Sequence, residues 1–261
     1  MIPEEYFLHE HYLEPPLNQT QFYRFATKKT DLSNKSHLVE KSFIREVEIT
    51  YLGRKKELLI FDVFTSNIVF DSNQNIANKR LSLESAYIFY DLEIGVNNTG
   101  EIVEIFNLNE IENHWKSTKL ELQKDNLGYE LDIFFETISN ILKEKEKVIS
   151  FLNSRKMFGL YFNGLFGKND LNQAPRKQKT TVAEFDNIIL LEEIYIKKNI
   201  PQFLITAQKS DDEHQNIIPD SNKIKKYKGE WYYTKNNQLE EGFFEIENEN
   251  MNIKYDALWV G

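Results

Sequence analysis

Residues 86–152 read AYIFYDLEIGV NNTG EIVEIFN LNEIENHWKSTKLELQKDNLG YELDIFFETISNILKEKEKVISFL, and their pattern decides the fold. A hydrophobic stretch over 86–95 meets a second over 101–107 across Asn97-Asn98-Thr99-Gly100. Asn and Gly tolerate the positive φ that tight hairpin turns demand, so the two stretches are predicted to be paired antiparallel strands. Asn109 then stands where a helix N-cap belongs, with Glu112 three positions on and Ile111, Trp115 and Leu122 at helical spacing. A second amphipathic helix is expected over 129–152. Its apolar stripe runs Leu131, Phe134, Phe135, Ile138, Ile141, Leu142, Val148, Ile149 and Leu152, and its solvent side alternates in charge from Lys143 to Lys147.

Upstream, Val47, Ile49 and Tyr51 alternate with Glu46, Glu48 and Thr50, the period of a half-buried strand. A turn at Gly53 leads into the apolar return strand 58–64. Residues 71–78 read as a polar loop. Residues 1–42, with Tyr6, Phe7 and Tyr12 ahead of Pro15-Pro16, read as an N-terminal arm.

Downstream of the helices, residues 157–166 read as an aromatic strand interrupted by Gly159 and Gly164. A polar, basic loop is expected over 167–180, followed by strands over 182–197 and 202–208 and a polar loop over 209–223. A three-strand meander over 229–234, 240–247 and 252–260 ends the chain.

Strands, then helices, then strands again point to an α+β fold. It is mainly an antiparallel sheet, arranged as one sheet or as two sheets or half-barrels, with two consecutive amphipathic helices at its centre. Residues 43–261 are expected to form a single domain: strands over 43–107, helices over 109–152, strands over 156–260.

Composition narrows the chemistry. There is no cysteine in the 261 residues, which removes disulfides, thiolate catalysis and cysteine-ligated metals. The net charge of −9 argues against nucleic acid as a partner. No apolar run is long enough for a membrane-spanning helix, and the start, Met1-Ile2-Pro3-Glu4-Glu5, lacks the basic end and apolar stretch of a signal peptide. A cytoplasmic chain without membrane insertion is expected, although a mature exported chain with a new initiator would look the same.

No phosphate loop, nucleophile elbow or metal-ligand cluster appears, so the expectation is a protein without catalytic residues, cofactor or metal. His9 and His11 share a face if extended but have no identifiable third ligand, and they read as surface residues. The acids Glu192 and Glu193 are adjacent, and in a strand they face opposite ways.

Two features point to a partner or ligand surface. The first is the glycine-framed aromatic run with Tyr161, Phe162 and Phe166, rimmed by the basic residues Arg176, Lys177 and Lys179. Its plainer reading is a bulged core strand under the long helix, with the basic rim a solvated loop. The second is Trp231-Tyr232-Tyr233, which sets rings on both faces of one strand, as Tyr87 and Phe89 do opposite Ile88 and Tyr90. Either a second layer or a partner must cover the outer rings.

The leading expectation is an interaction protein: a scaffold, an accessory subunit of a larger assembly, or an inhibitor or immunity-type binder. It would bind another protein or self-associate. The alternative is a carrier or sensor of an apolar small molecule, held between a curved sheet and the 129–152 helix.

Overall fold

The computed structural model describes residues 10–74, 79–125, 128–153, 160–170, 176–186, 188–197, 202–209 and 223–261. The strands are β1 (Glu10–Leu13), β2 (Thr20–Asp31), β3 (Val39–Lys55), β4 (Leu58–Ser72), β5 (Asp91–Val96), β6 (Ile102–Ile105), β7 (Gly167–Asp170), β8 (Arg176–Val182), β9 (Ile188–Lys197), β10 (Gln202–Lys209), β11 (Lys226–Tyr233), β12 (Leu239–Glu247) and β13 (Met251–Trp259). The helices are α1 (Lys79–Ala86), α2 (Leu108–Asp125), α3 (Tyr129–Leu142) and α4 (Lys145–Asn153). The fold is α+β. Its strands form one 11-stranded antiparallel sheet in the order β6-β5-β4-β3-β2-β13-β12-β11-β10-β9-β8, and β1 and β7 pair separately.

The hairpin expected around residues 97–100 joins β5 and β6. Asn97 Oδ1 accepts from the backbone N–H of Thr99 (3.0 Å) and of Glu101 (2.9 Å) and from the Thr99 hydroxyl (2.7 Å). Gly100 sits at φ +82°, where only glycine is unstrained.

The terminal meander falls close to its expected bounds as β11, β12 and β13. Closing it onto β2 corrects the reading of residues 1–42 as an arm. Thr20–Asp31 pairs with β13 on one side and β3 on the other, at the middle of the sheet. Tyr23 and Phe25 point into the core while Phe22 and Arg24 face out, so rings on both faces had masked the alternation.

Three other expectations are corrected. The strand read over 86–95 begins only at Asp91, because Tyr87–Phe89 form a tight helical turn after α1. The long helix read over 129–152 is two helices, broken where the apolar stripe skips from Leu142 to Val148. The basic loop read over 167–180 contains two strands, β7 and β8. The start of the strand read over 157–166 and most of the loop read over 209–223 lie outside the described residues, as does His9.

The helices cover the β4–β6 end of the sheet. Trp115, Leu122, Phe135, Leu142, Val148 and Leu152 join Ile94, Val96, Ile102 and Ile105 in one apolar cluster. Trp115 Nε1 donates to Ser139 Oγ at 2.9 Å and ties α2 to α3. The rings flagged at 87 and 89 find partners within the fold: the Ile68 N–H of β4 donates to the Tyr87 hydroxyl at 2.7 Å, and Phe89 packs against Phe151 on α4.

On the opposite face, Glu245 is buried with Lys226 Nζ at 2.7 Å, Lys254 Nζ at 3.9 Å and Asn252 Nδ2 at 2.9 Å. Burial pushes its carboxyl upward. The hydrogen bonds from Lys226 and Asn252 and the charges of Lys226 and Lys254 outweigh that and hold it below the ordinary carboxylate range. A carboxyl whose folded pKa is depressed stabilises the fold above its unfolded pKa and ceases to do so as pH falls through the folded one. Glu245→Gln is therefore expected to lower stability most at neutral pH. The gap to the parent chain should shrink in urea titrations taken toward about pH 3. A gap constant from neutral to acid pH would contradict the assignment.

Candidate functional site

The polar and aromatic interior centres on residues 160–166. They form no strand; they turn within the sheet's inner face, and every side chain from Leu160 to Phe166 is buried. The Leu160 carbonyl accepts from Trp231 Nε1 at 2.8 Å. Asn163 Nδ2 donates to the Tyr233 hydroxyl at 2.7 Å, and Asn163 Oδ1 accepts from the Leu165 N–H at 3.1 Å. The Tyr161 hydroxyl donates to Gln21 Oε1 at 3.4 Å, and the Tyr23 hydroxyl donates to the same oxygen at 2.9 Å.

On the other flank, Phe162 meets Phe61 of β4 edge-on at 5.0 Å between ring centroids. Phe61 also packs against Tyr161, Phe166 and Tyr51.

These contacts require the sheet to curl. β4 and β11 are five strands apart in the sheet order, roughly 24 Å if it lay flat at about 4.8 Å per strand. Side chains rising from a flat sheet at those positions would not converge on one short segment. Phe61 and Trp231 do converge on residues 160–162, so the sheet wraps around them.

Two glycines fit the segment against the hairpin turn. A Cβ on Gly100 would lie 2.3 Å from the Gly164 nitrogen and 2.6 Å from the Phe162 oxygen, and one on Gly164 would lie 2.5 Å from the Thr99 oxygen. Both residues also have positive φ. Nearby, the Tyr51 hydroxyl donates to Glu14 Oε1, and Arg54 reaches both Glu14 and Asn98 Oδ1, tying the β1 end of the chain to the same turn.

Five residues read from the sequence as one side of a partner or ligand surface are thus brought together, but inside. Tyr161, Phe162, Phe166, Trp231 and Tyr233 are each at most 6% exposed, so they line the interior of the sheet rather than its outside. The physical reason is the curl, which supplies the second layer that a flat sheet would lack. Only Tyr232 between them faces outward, its hydroxyl donating to Glu230 at 2.7 Å. Arg176, Lys177 and Lys179 lie on β8, away from this interior in the sheet order, and their side chains are outside the described set.

The sequence did not disclose the polar pairs in the second half of the sheet. The Tyr227 hydroxyl donates to Glu192 Oε1 at 2.6 Å, and the Tyr255 hydroxyl donates to Glu184 Oε1 at 2.8 Å. The signal available was strand alternation. It turns Glu192 toward the same face as Ile188, Leu190 and Ile194, with Glu193 on the other.

Burial raises the Tyr23, Tyr161 and Tyr233 hydroxyls far above the ordinary tyrosine range, with the neighbouring tyrosines adding to the effect at Tyr23 and Tyr161. The three groups are neutral hydrogen-bonding points in an aromatic interior. Among the described residues, no group of three or more His, Asp or Glu is placed to hold a metal. No helix among them is long and apolar enough to cross a membrane.

No family model matches the chain, and no curated protein matches it. A solved structure of lipovitellin, described for its lipid–protein interactions, is similar to it with a TM-score of 0.50 at 9% identity. That similarity covers 95% of this chain and 26% of the lipovitellin chain. The chain therefore spans about a quarter of the neighbour's length, and the likeness is one of fold.

Proposed function

We propose that the chain is a carrier of an apolar small molecule, bound in the concave face of the curled sheet. The observation that supports this reading best is the wrapping of the sheet around residues 160–166. Aromatic walls from β4 and β11 face each other across a short segment anchored by a few hydrogen bonds. Curled antiparallel sheets with apolar interiors are a recurrent way to enclose such ligands. The lipovitellin likeness, to a protein studied for its lipid contacts, adds fold-level support.

Trp231 in the wall provides the test. A dansyl-labelled undecanoic acid, titrated below its micelle concentration, is expected to bind saturably and to receive energy transfer from tryptophan. The transfer should fall in Trp231→Phe and persist in Trp115→Phe. Native mass spectrometry of the freshly purified chain should show an added lipid-sized mass. Absence of saturable binding together with a bare mass would overturn the reading.

The interaction reading loses the buried rings as its support. What favours it as a second reading is that, among the described strands, β8 pairs with β9 alone.

A further inference from the structure

We propose that the outer face of the sheet from β12 to β5 docks a basic, amphipathic segment of a partner protein. This face lies on the other side of the sheet from the aromatic interior, and the proposal does not depend on the carrier reading. Strand pairing sets the side chains of this face in rows. In one row Val260, Phe22, Glu48, Phe64 and Asp91 follow one another: the Val260 N–H donates to the Phe22 carbonyl at 2.8 Å, and Phe22↔Glu48, Glu48↔Phe64 and Phe64↔Asp91 are register partners. The row on one side runs Glu241, Leu258, Arg24 and Glu46. The row on the other side runs Thr20, Thr50, Asp62 and Glu93.

Half of what this face offers is apolar. Phe22, Phe64, Leu258 and Val260 are each 40–50% exposed, and large apolar side chains gathered in this way on one surface are the property of interaction sites. Phe22 and Phe64 stand two strands apart, about 10 Å, with Glu48 between them. A segment that covers both rings therefore sets an apolar side chain on each side of the group that meets Glu48.

The charge decides what that segment is. Arg24 is the one base in these rows, and Glu46 takes it up at 3.3 Å. Among the described residues no ion pair holds Glu48, Asp62, Asp91, Glu93 or Glu241. Burial and the neighbouring Asp91 push the Asp62 carboxyl above the ordinary carboxylate range. Burial and Glu241 do the same to Asp256, which lies two positions from Leu258 on the same face, against the opposing pull of Lys254. Acids that raise one another in this way are relieved by a cation. A second copy of the chain would lay the same acids against these, and like charges across an interface oppose docking. Nucleic acid and anionic membrane are repelled by the same field. Lysines or arginines interleaved with apolar side chains satisfy both halves of the face.

The test uses the full chain and a fluorescein-labelled, fourteen-residue amphipathic peptide of Leu and Lys, kept at concentrations where it is monomeric. Saturable binding is expected, at least tenfold tighter than that of the same peptide with Glu in place of Lys or of one with Ser in place of Leu. It should weaken about tenfold between 50 mM and 500 mM salt. Carbodiimide coupling followed by mass spectrometry should join the peptide's lysines to Glu48, Asp62, Asp91, Glu93, Glu241 or Asp256. Asp62→Asn/Asp91→Asn and Phe22→Ser/Phe64→Ser, each with an unchanged circular dichroism spectrum, should lose about tenfold in affinity. Glu130→Gln/Glu136→Gln on α3 removes the same charge as the first pair and should leave the affinity within about twofold. Equal loss in the α3 variant, equal binding of the Ser-substituted peptide, or coupling confined to other acids would each overturn the proposal. So would a dimer in sedimentation velocity that Phe22→Ser/Phe64→Ser abolishes, or binding to phosphatidylglycerol vesicles that the peptide fails to displace. The peptide reports on the outer face and the fatty-acid probe on Trp231, so each proposal stands or falls by its own readout.

Discussion

Gly164→Ala is expected to cost about 2–5 kcal/mol of folding stability, the sum of a positive-φ penalty and an overpacking term. The φ of +73° disfavours any side chain at this position. A Cβ here would also lie 2.5 Å from the Thr99 oxygen and 2.9 Å from the Thr99 carbonyl carbon, and backbone atoms cannot rotate out of the way as a side-chain tip can. Either the hairpin turn or the 160–166 segment must move, and each is held. Asn97 fastens the turn, and Asn163, Trp231 and Tyr161 fasten the segment.

Gly100→Ala should behave alike, since its Cβ would lie 2.3 Å from the Gly164 nitrogen. The double substitution should cost less than the sum of the two, because one displacement relieves both clashes. Urea denaturation of the four chains measures this. Losses under about 1 kcal/mol for both single variants would show that the turn and the segment are not in contact. Gly128→Ala supplies a comparison: φ is +143° there, but nothing lies within 4 Å of its Cβ, so it should lose only the conformational part.

How much of this arrangement was legible beforehand follows from the range of the interactions. The hairpin at residues 97–100 and the face of α3 are local. They depend on turn chemistry and on a helical period, which a sequence displays directly. The closing strand pair β13·β2 joins residues more than 200 positions apart, and nothing in the run Phe22-Tyr23-Arg24-Phe25 announces which neighbour it will find. It carries rings on both faces of the strand. In the fold, one set enters the core and Phe22 remains 44% exposed.

The same gap explains the site. Glycines around Tyr161, Phe162 and Phe166 marked a place where backbone comes close to something, and the close neighbour is the Gly100 turn. Whether those rings face solvent or core depends on the curl of the whole sheet, which no single stretch encodes. The residues are brought together, on the inside of the sheet.

Phe61→Ala tests the aromatic interior both as core and as the proposed binding site. Phe61 is fully buried, and its ring lies 5.0 to 6.0 Å from those of Phe162, Tyr51, Phe166 and Tyr161. Truncating it removes the ring on which the 160–166 segment rests, and the expected loss is about 3–5 kcal/mol. At about 3 °C per kcal/mol for a chain of this size, the melting temperature should fall by about 9–15 °C. Trp115→Ala, under the helices and equally enclosed, should cost a similar amount through a different part of the core.

The two variants then part on ligand binding. An apolar void of ring size stays dry and accepts apolar molecules, so Phe61→Ala should shift the affinity for the dansyl-labelled fatty acid by about fivefold or more. Trp115→Ala should leave it within about twofold once both are measured well below their melting temperatures. Equal affinities in the two variants would place the bound chain away from Phe61. A large shift in Trp115→Ala alone would move the proposed binding site from the sheet's aromatic interior to the space beneath α2 and α3.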